Sequence, residues 1–191
     1  MGRWEPDTRL RLVRAALDLF SEQGYDTTTV SEIAERAGGL TKMTFFRHFR
    51  DKREVLFAGQ DLHSQILADA IAAAPGPATP LQAVAGALDA LTATFTDDRR
   101  EFSARVLTVI AGNSELQERA AAKRTGLTET MAQALEKRGV PELAAGLAAE
   151  LGIRAYYRAF GQWADPASQQ TLTELTHHAL DELLAATATL N

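Results

Sequence analysis

The residues of this 191-residue chain whose types and spacing can do chemistry lie between Thr29 and Lys52. From Thr41 onward a helical spacing puts Phe45 and Phe49 at i, i+4 on one side, while Met43, Phe46, Arg47 and Arg50 project from the other. Just upstream, Val30, Ile33, Ala34 and Ala37 repeat at i, i+3, i+4 and i+7, which predicts a second short helix with one apolar face. Gly38-Gly39 supplies a turn between the two. An apolar inner face backed by an outward face of arginine and a large side chain is what a helix needs to sit in a nucleic-acid groove. The chemistry expected here is recognition, by a DNA-binding helix-turn-helix.

The distribution of charge agrees with that placement. The chain as a whole carries a net charge of −5, which argues against a protein that coats nucleic acid over its whole surface, because such binding runs on phosphate neutralisation. Residues 1–53 hold ten basic and eight acidic side chains, a net +2, whereas residues 54–191 hold ten and seventeen, a net −7. Within the front segment Lys42, Arg47, Arg50, Lys52 and Arg53 are opposed only by Asp51. The absence of cysteine excludes disulfide frameworks, thiol catalysis and cysteine-ligated metal. No run of apolar residues approaches the roughly 18 of a membrane span, and Met1 to Pro6 lacks the apolar run of a signal peptide, so a cytosolic protein is expected.

The elements that must position the reading stretch are all helical. Asp7 or Thr8 is expected to cap a first helix with Leu10, Val13, Leu17 and Phe20 as its buried stripe, closed by Gly24. Thr29 with Glu32 makes a capping box for the second helix, and Thr41 can cap the third. Asp51 with Glu54 reads as a box opening a long fourth helix, buried through Val55, Leu62 and Ile66, that runs to Pro75-Gly76-Pro77. Thr79-Pro80-Leu81-Gln82 opens a fifth helix reaching about Phe95. A sixth follows Asp97 or Asp98, Ser114 with Gln117 caps a seventh to Gly139, Pro141 opens an eighth to about Trp163, and a ninth carries Leu172, Leu175, Ala179 and Leu183. The expectation is an all-α protein of about nine helices: an N-terminal helix-turn-helix domain over residues 1–52, joined by the long fourth helix to a larger helical domain over 53–191.

The run Thr29-Val30-Ser31-Glu32-Ile33-Ala34-Glu35-Arg36-Ala37-Gly38, followed by Thr41-Lys42-Met43-Thr44-Phe45-Phe46-Arg47-His48-Phe49 and Asp51-Lys52, strongly resembles the DNA-binding domain of the TetR family of bacterial transcriptional regulators. The resemblance covers about the first 55 residues and includes Phe20-Ser21-Glu22-Gln23-Gly24-Tyr25. It implies that Thr29 and Lys52 touch phosphates, and that Lys42, Met43, Thr44 and Arg47 face the major groove. There arginine pairs with guanine at roughly 1–3 kcal/mol of discrimination, and methionine or threonine touches a thymine methyl. Thr41 and Phe46 complete the DNA-binding set. Two departures stand out. Gly38-Gly39-Leu40 holds one residue more than the family's usual turn, and Phe46 replaces a tyrosine whose hydroxyl meets a phosphate.

The rear domain matches the family only in length and helical plan. Its eighth helix carries two apolar stripes, Leu143, Leu147 and Leu151 on one side and Ala149, Ile153, Tyr156, Phe160 and Trp163 on the other, so it must be covered twice. The resemblance assigns one side to a partner subunit, in a homodimer through helices eight and nine, and the other to the domain interior. Phe102, Arg105, Met131, Tyr156, Phe160 and Trp163 are the candidates for binding an unidentified small-molecule effector. Arg105, Arg154 and Arg158 have Glu101 and Glu150 within reach as local partners. His177 and His178 project about 100° apart and make no metal pair, and no cofactor motif or catalytic constellation is present. The expected protein is a homodimeric regulator released from a palindromic DNA operator by a small molecule. An effector-independent activator, or an all-α small-molecule enzyme or carrier, is the alternative.

Overall fold

The computed structural model describes residues 6–190, with side chains from residue 8. The reading of Met1 to Glu5 lies outside the described residues, and because α1 begins at Pro6 the expected cap residues Asp7 and Thr8 lie inside its first turn. Nine α-helices and two short 3₁₀ turns account for the order α1 (Pro6–Gln23), α2 (Val30–Arg36), α3 (Lys42–His48), α4 (Gln60–Ala73), α5 (Pro80–Thr92), α6 (Arg100–Ala111), α7 (Ser114–Lys137), α8 (Glu142–Trp163) and α9 (Leu172–Ala188), with no strand among the described residues. The all-α expectation holds. No helix among them is long and apolar enough to cross a membrane.

The chain divides into two compact units. The first comprises residues 1–59 together with 105–120, and the second 60–104 together with 121–191. The first unit is thus wider than the segment 1–52 marked out by sequence, since it takes in the end of α6 and the start of α7.

Local chemistry explains where the helices begin. Thr29, Thr79 and Thr171 each accept a hydrogen bond from the backbone N–H three residues on, while the Glu32, Gln82 or Glu174 side-chain oxygen accepts one from the cap's own amide. Thr41 caps α3 through Thr44 N–H. At α7 the cap is Asn113, whose Oδ1 accepts from Leu116 N–H at 3.1 Å; the expected box at Ser114 and Gln117 does not form, because Gln117 turns back to Ala111 O. Of the expected Asp51 box, one bond is seen, Glu54 N–H on Asp51 Oδ1 at 3.1 Å, and the Glu54 carboxylate pairs with Arg119. This cap opens only a 3₁₀ turn over Arg53–Phe57, and α4 starts anew at Gln60 after the turn at Gly59. The single long fourth helix is therefore two elements. Its register differs too: Val55, Leu67 and Ile71 are buried, whereas Leu62 is 62% exposed. In α1, Leu10 is likewise exposed, and Leu12, Val13, Leu17 and Phe20 form the buried stripe.

In the first unit α1 packs on α2 and α2 on α3, around Leu12, Leu17, Ile33, Phe45 and Phe49. The turn with the additional glycine closes without a loose end. Gly38 N–H and Gly39 N–H both donate to Glu35 O, and Leu40 N–H donates to Ala34 O at 2.9 Å. The additional residue thus lengthens the hydrogen-bonded wrap that ends α2. Both glycines have positive φ, 108° and 69°, and the Arg11 guanidinium of α1 donates to Ala37 O beneath them.

In the second unit α8 is the central element, packed on α5 and α9, and α4 packs on α5. Its two stripes separate except at Leu151, which is half-buried against the core, as is Phe160. Ala149, Ile153, Tyr156 and Trp163 face the core, while Leu143 and Leu147 stay 77% and 58% exposed. Gly152 allows α5 to approach closely, since a Cβ there would run into Val84.

At Gly38 a Cβ would collide with the Arg11 guanidinium, whereas at Gly39 it would meet nothing. Gly39→Ala should cost only the left-handed backbone penalty, about 1–2 kcal/mol, and Gly38→Ala measurably more. Thermal unfolding of the two variants checks the order. Equal losses would show that Arg11 does not constrain the turn.

Candidate functional site

In α3 a seven-residue helix divides into two faces. Phe45 is fully buried and Phe49 nearly so, with ring centroids 5.3 Å apart, and the Arg9 guanidinium lies 5.5 Å from the Phe49 ring. On the outer face Met43 is 77% and Phe46 46% exposed, and Lys42, Arg47 and Arg50 are exposed as well. The Phe46 ring stands edge-on to Phe45 at 5.6 Å and has Lys42 Nζ at 5.9 Å. Thr44 is half-buried, and its hydroxyl lies 3.0 Å from that of Thr41, so these two hydroxyls are engaged locally. His48 is held below its usual imidazole range by burial first, then by the Arg47 and Arg9 charges.

At the start of α2 the Glu32 carboxylate accepts from both Thr29 N–H and Thr29 Oγ1 at 2.7 Å, and these bonds hold its carboxyl below the ordinary range. Lys52 takes a different position from Thr29. Its Nζ donates to Tyr25 O at 2.6 Å and Thr28 O at 2.9 Å and stands 4.0 Å from the Tyr25 ring centroid. Burial lowers its affinity for the proton. Arg53 is paired with Asp51 and Glu115 at 3.0 and 3.3 Å, and Arg119 with Glu54. The structure therefore brings Lys42, Met43, Phe46 and Arg47 together on one exposed face, with Thr41 and Thr44 at its edge and Lys52 apart from it.

The effector candidates do not form one group. Tyr156, Phe160 and Trp163 cluster around Phe95, whose ring centroid lies 6.4, 5.5 and 5.8 Å from theirs; His63 adds a further ring at 5.5 Å. Phe95 and His63 had not been singled out by sequence, although Phe95 continues the α5 apolar pattern past that helix's end. Burial raises the Tyr156 hydroxyl well above its usual range and lowers His63. Met131 is fully buried between α5 and α8, and Phe102 is half-buried. Arg105 belongs to the first unit. Its guanidinium pairs with Asp18 of α1 at 2.7 Å, and Arg158 pairs with Glu182 at 2.6 Å, in place of the expected Glu101 and Glu150. His177 and His178 lie on separate carboxylates, Asp89 and Glu182.

Residues 12–58 match the family model described as bacterial regulatory proteins, tetR family. The HTH-type transcriptional regulator TcmR of Streptomyces glaucescens is 40% identical over 94 residues, which make up 49% of this chain and 41% of TcmR. The chain thus spans less than half the length of that relative. Two solved structures share the fold. NalD, the secondary repressor of the MexAB-OprM multidrug efflux pump in Pseudomonas aeruginosa, has a TM-score of 0.59 at 18% identity over 93% of this chain and 94% of its own. The TetR-family repressor FadR of Thermus thermophilus, in complex with lauroyl-CoA, has a TM-score of 0.57 at 22% identity over 92% and 93%.

The capping box carries its own pH dependence. Glu32 has its proton affinity depressed in the folded chain, so its contribution is complete above the ordinary carboxylate value of about 4.3 and is lost as the pH falls through the lower folded value. Glu32→Gln should flatten that acid limb in hydrogen exchange of the α2 amides. Thr29→Ala should destabilise α2 by about 1 kcal/mol at neutral pH. An unchanged exchange rate in both variants would show the box to be idle.

Proposed function

We propose, for a chain whose N-terminal domain belongs to the TetR family of bacterial regulatory proteins, that it is a homodimeric transcriptional repressor released from a palindromic operator by a small molecule. The observation that carries this reading is the outer face of α3. A helix of seven residues keeps Met43 and Phe46 in water beside Lys42 and Arg47, which a core does not need and a groove does. Arg47 is the candidate for bidentate pairing with guanine, Met43 and Thr44 for thymine methyls with Lys42 beside them in the groove, and Thr29 and Lys52 for the phosphates. Phe46 has no hydroxyl to donate and contributes packing against sugar or base.

Dimerisation is assigned to the exposed stripe of α8, Leu143 and Leu147, with the half-buried Leu183 and Leu184 of α9. Two copies joined there would present two α3 helices to successive major grooves, roughly 34–36 Å apart. The effector is assigned to the Phe95, Tyr156, Phe160 and Trp163 cluster of the second unit, and would act by preferring the conformation that binds DNA poorly. Acyl-CoA thioesters are the first class to test, since a structural relative is an acyl-CoA complex. A regulator of this kind works in the cytosol, with binding and no turnover as its activity.

Selection from a random DNA pool should yield a palindrome with two half-sites about one helical turn apart; a pool that stays random removes the proposal. Arg47→Ala should lower affinity for the selected site by roughly 1–3 kcal/mol and relax one base position per half-site. Equal loss on good and poor sites would contradict the base-reading role. Leu147→Glu should shift sedimentation toward the monomer and weaken operator binding in parallel.

A further inference from the structure

The Tyr156 hydroxyl is a buried donor with nothing in the chain to donate to. Its residue is 4% exposed, yet among the described residues the side chain makes ring contacts and no hydrogen bond. A buried O–H left without an acceptor is destabilising, and a native fold that keeps one keeps it for a reason, such as a ligand. The oxygen is not sealed in either. Among the described residues Arg119 Nε is the one fully enclosed side-chain nitrogen or oxygen without a partner, so the Tyr156 oxygen retains accessible surface.

What surrounds it is aromatic. Tyr156 and Trp163 are buried, while Phe95, Phe160 and His63 keep part of their surface in solvent. Phe95 meets Phe160 and Trp163 edge-on, at 76° and 81°, and a flat arene can make such contacts with these rings where a saturated chain cannot. Phe95 itself lies past the end of α5, its N–H bonded to Thr92 O in a turn, so moving its ring requires no helix to unwind. The nearby cations are committed elsewhere. The Arg100 guanidinium lies 5.1 Å from the Trp163 ring, but its Nη groups donate to Trp163 O, Ser168 O, Gln170 O and Asp97. Arg99, whose charge bears on His63, is exposed. The group that bears on Tyr156 besides burial is Tyr157, and burial keeps the Tyr156 hydroxyl protonated. An anion among these rings would gain no partner for the hydration it loses.

We infer that the effector is an uncharged aromatic compound with a carbonyl oxygen, and that this oxygen accepts a hydrogen bond from the Tyr156 hydroxyl. This rests on the reading of the cluster as the effector site, and it names a class other than the acyl-CoA thioesters suggested by a structural relative.

The full-length protein is tested with fluorenone and fluorene, the same ring frame with and without a carbonyl, and with lauroyl-CoA. In equilibrium dialysis fluorenone should bind the wild type about tenfold more tightly than fluorene, the worth of one neutral hydrogen bond. Tyr156→Phe removes an unbonded oxygen and should melt no lower than wild type. It should weaken fluorenone about tenfold and leave fluorene unchanged. The ketone stretch of bound fluorenone should lie at lower wavenumber in the wild type than in the variant, a difference that altered packing alone would not produce. Equal affinity for the two probes, as for a hydroxyl that holds a water instead, or a fluorenone affinity indifferent to Tyr156→Phe, overturns the inference. Lauroyl-CoA that binds more tightly than fluorenone, and is weakened by Phe160→Ala but not by Tyr156→Phe, overturns the class and leaves the effector reading in place. Binding of every probe unmoved by Phe160→Ala removes both.

Discussion

A helix of seven residues has no stability of its own in water, since the cost of nucleating it is recovered only over a dozen or more residues. α3 exists because Phe45 and Phe49 are drawn into the core of the first unit, and everything on its outer face is held in place by those two rings. Burying one phenylalanine side chain contributes about 1.5–3 kcal/mol, which is large beside the intrinsic preference of any single residue in the helix. The outer positions are consequently free of any folding duty. Met43, Phe46 and Arg47 can be chosen for what they touch.

The cations of the first unit divide in the same spirit. Arg11 closes the end of α2, Lys52 braces the turn before it, Arg36 pairs with Glu22, Arg53 with Asp51 and Glu115, and Arg105 with Asp18. Each of these side chains is engaged within the unit. Lys42 and Arg47 of α3, with Arg50 just beyond its end, are exposed, whereas a count of charges along the chain does not separate them from the engaged cations. In a protein that is acidic overall, these exposed cations orient the encounter.

Helix starts were legible because a capping box is written in four consecutive residues, as at Thr29 and Thr79. The box at Thr171 and Glu174 carries the same four-residue signal. Periodicity located the α8 stripes but not which one the fold would bury. That choice depends on α5 and α9, which reach α8 from elsewhere in the chain. Leu10 and Leu62 fit a helical stripe equally well and end in solvent, because spacing does not say which side of a helix has a neighbour. Lys52 and Arg105 show the same limit for charge. Their partners lie 27, 24 and 87 residues away, beyond any local pattern, whereas Arg47 was read correctly as exposed because its own helix decides the matter.

The first unit is discontinuous: Leu116, which is fully buried, and the partners Arg105, Glu115 and Arg119 all arrive well after α3, which ends at His48, has been made. As the chain leaves the ribosome, the helix-turn-helix emerges long before its own core and ion pairs are complete. During synthesis α3 must wait, incompletely braced, while α4 and α5 are translated. A fragment that ends at residue 59 would be arrested in that state, so the part of the molecule that looks most separable by sequence is one that the chain finishes late.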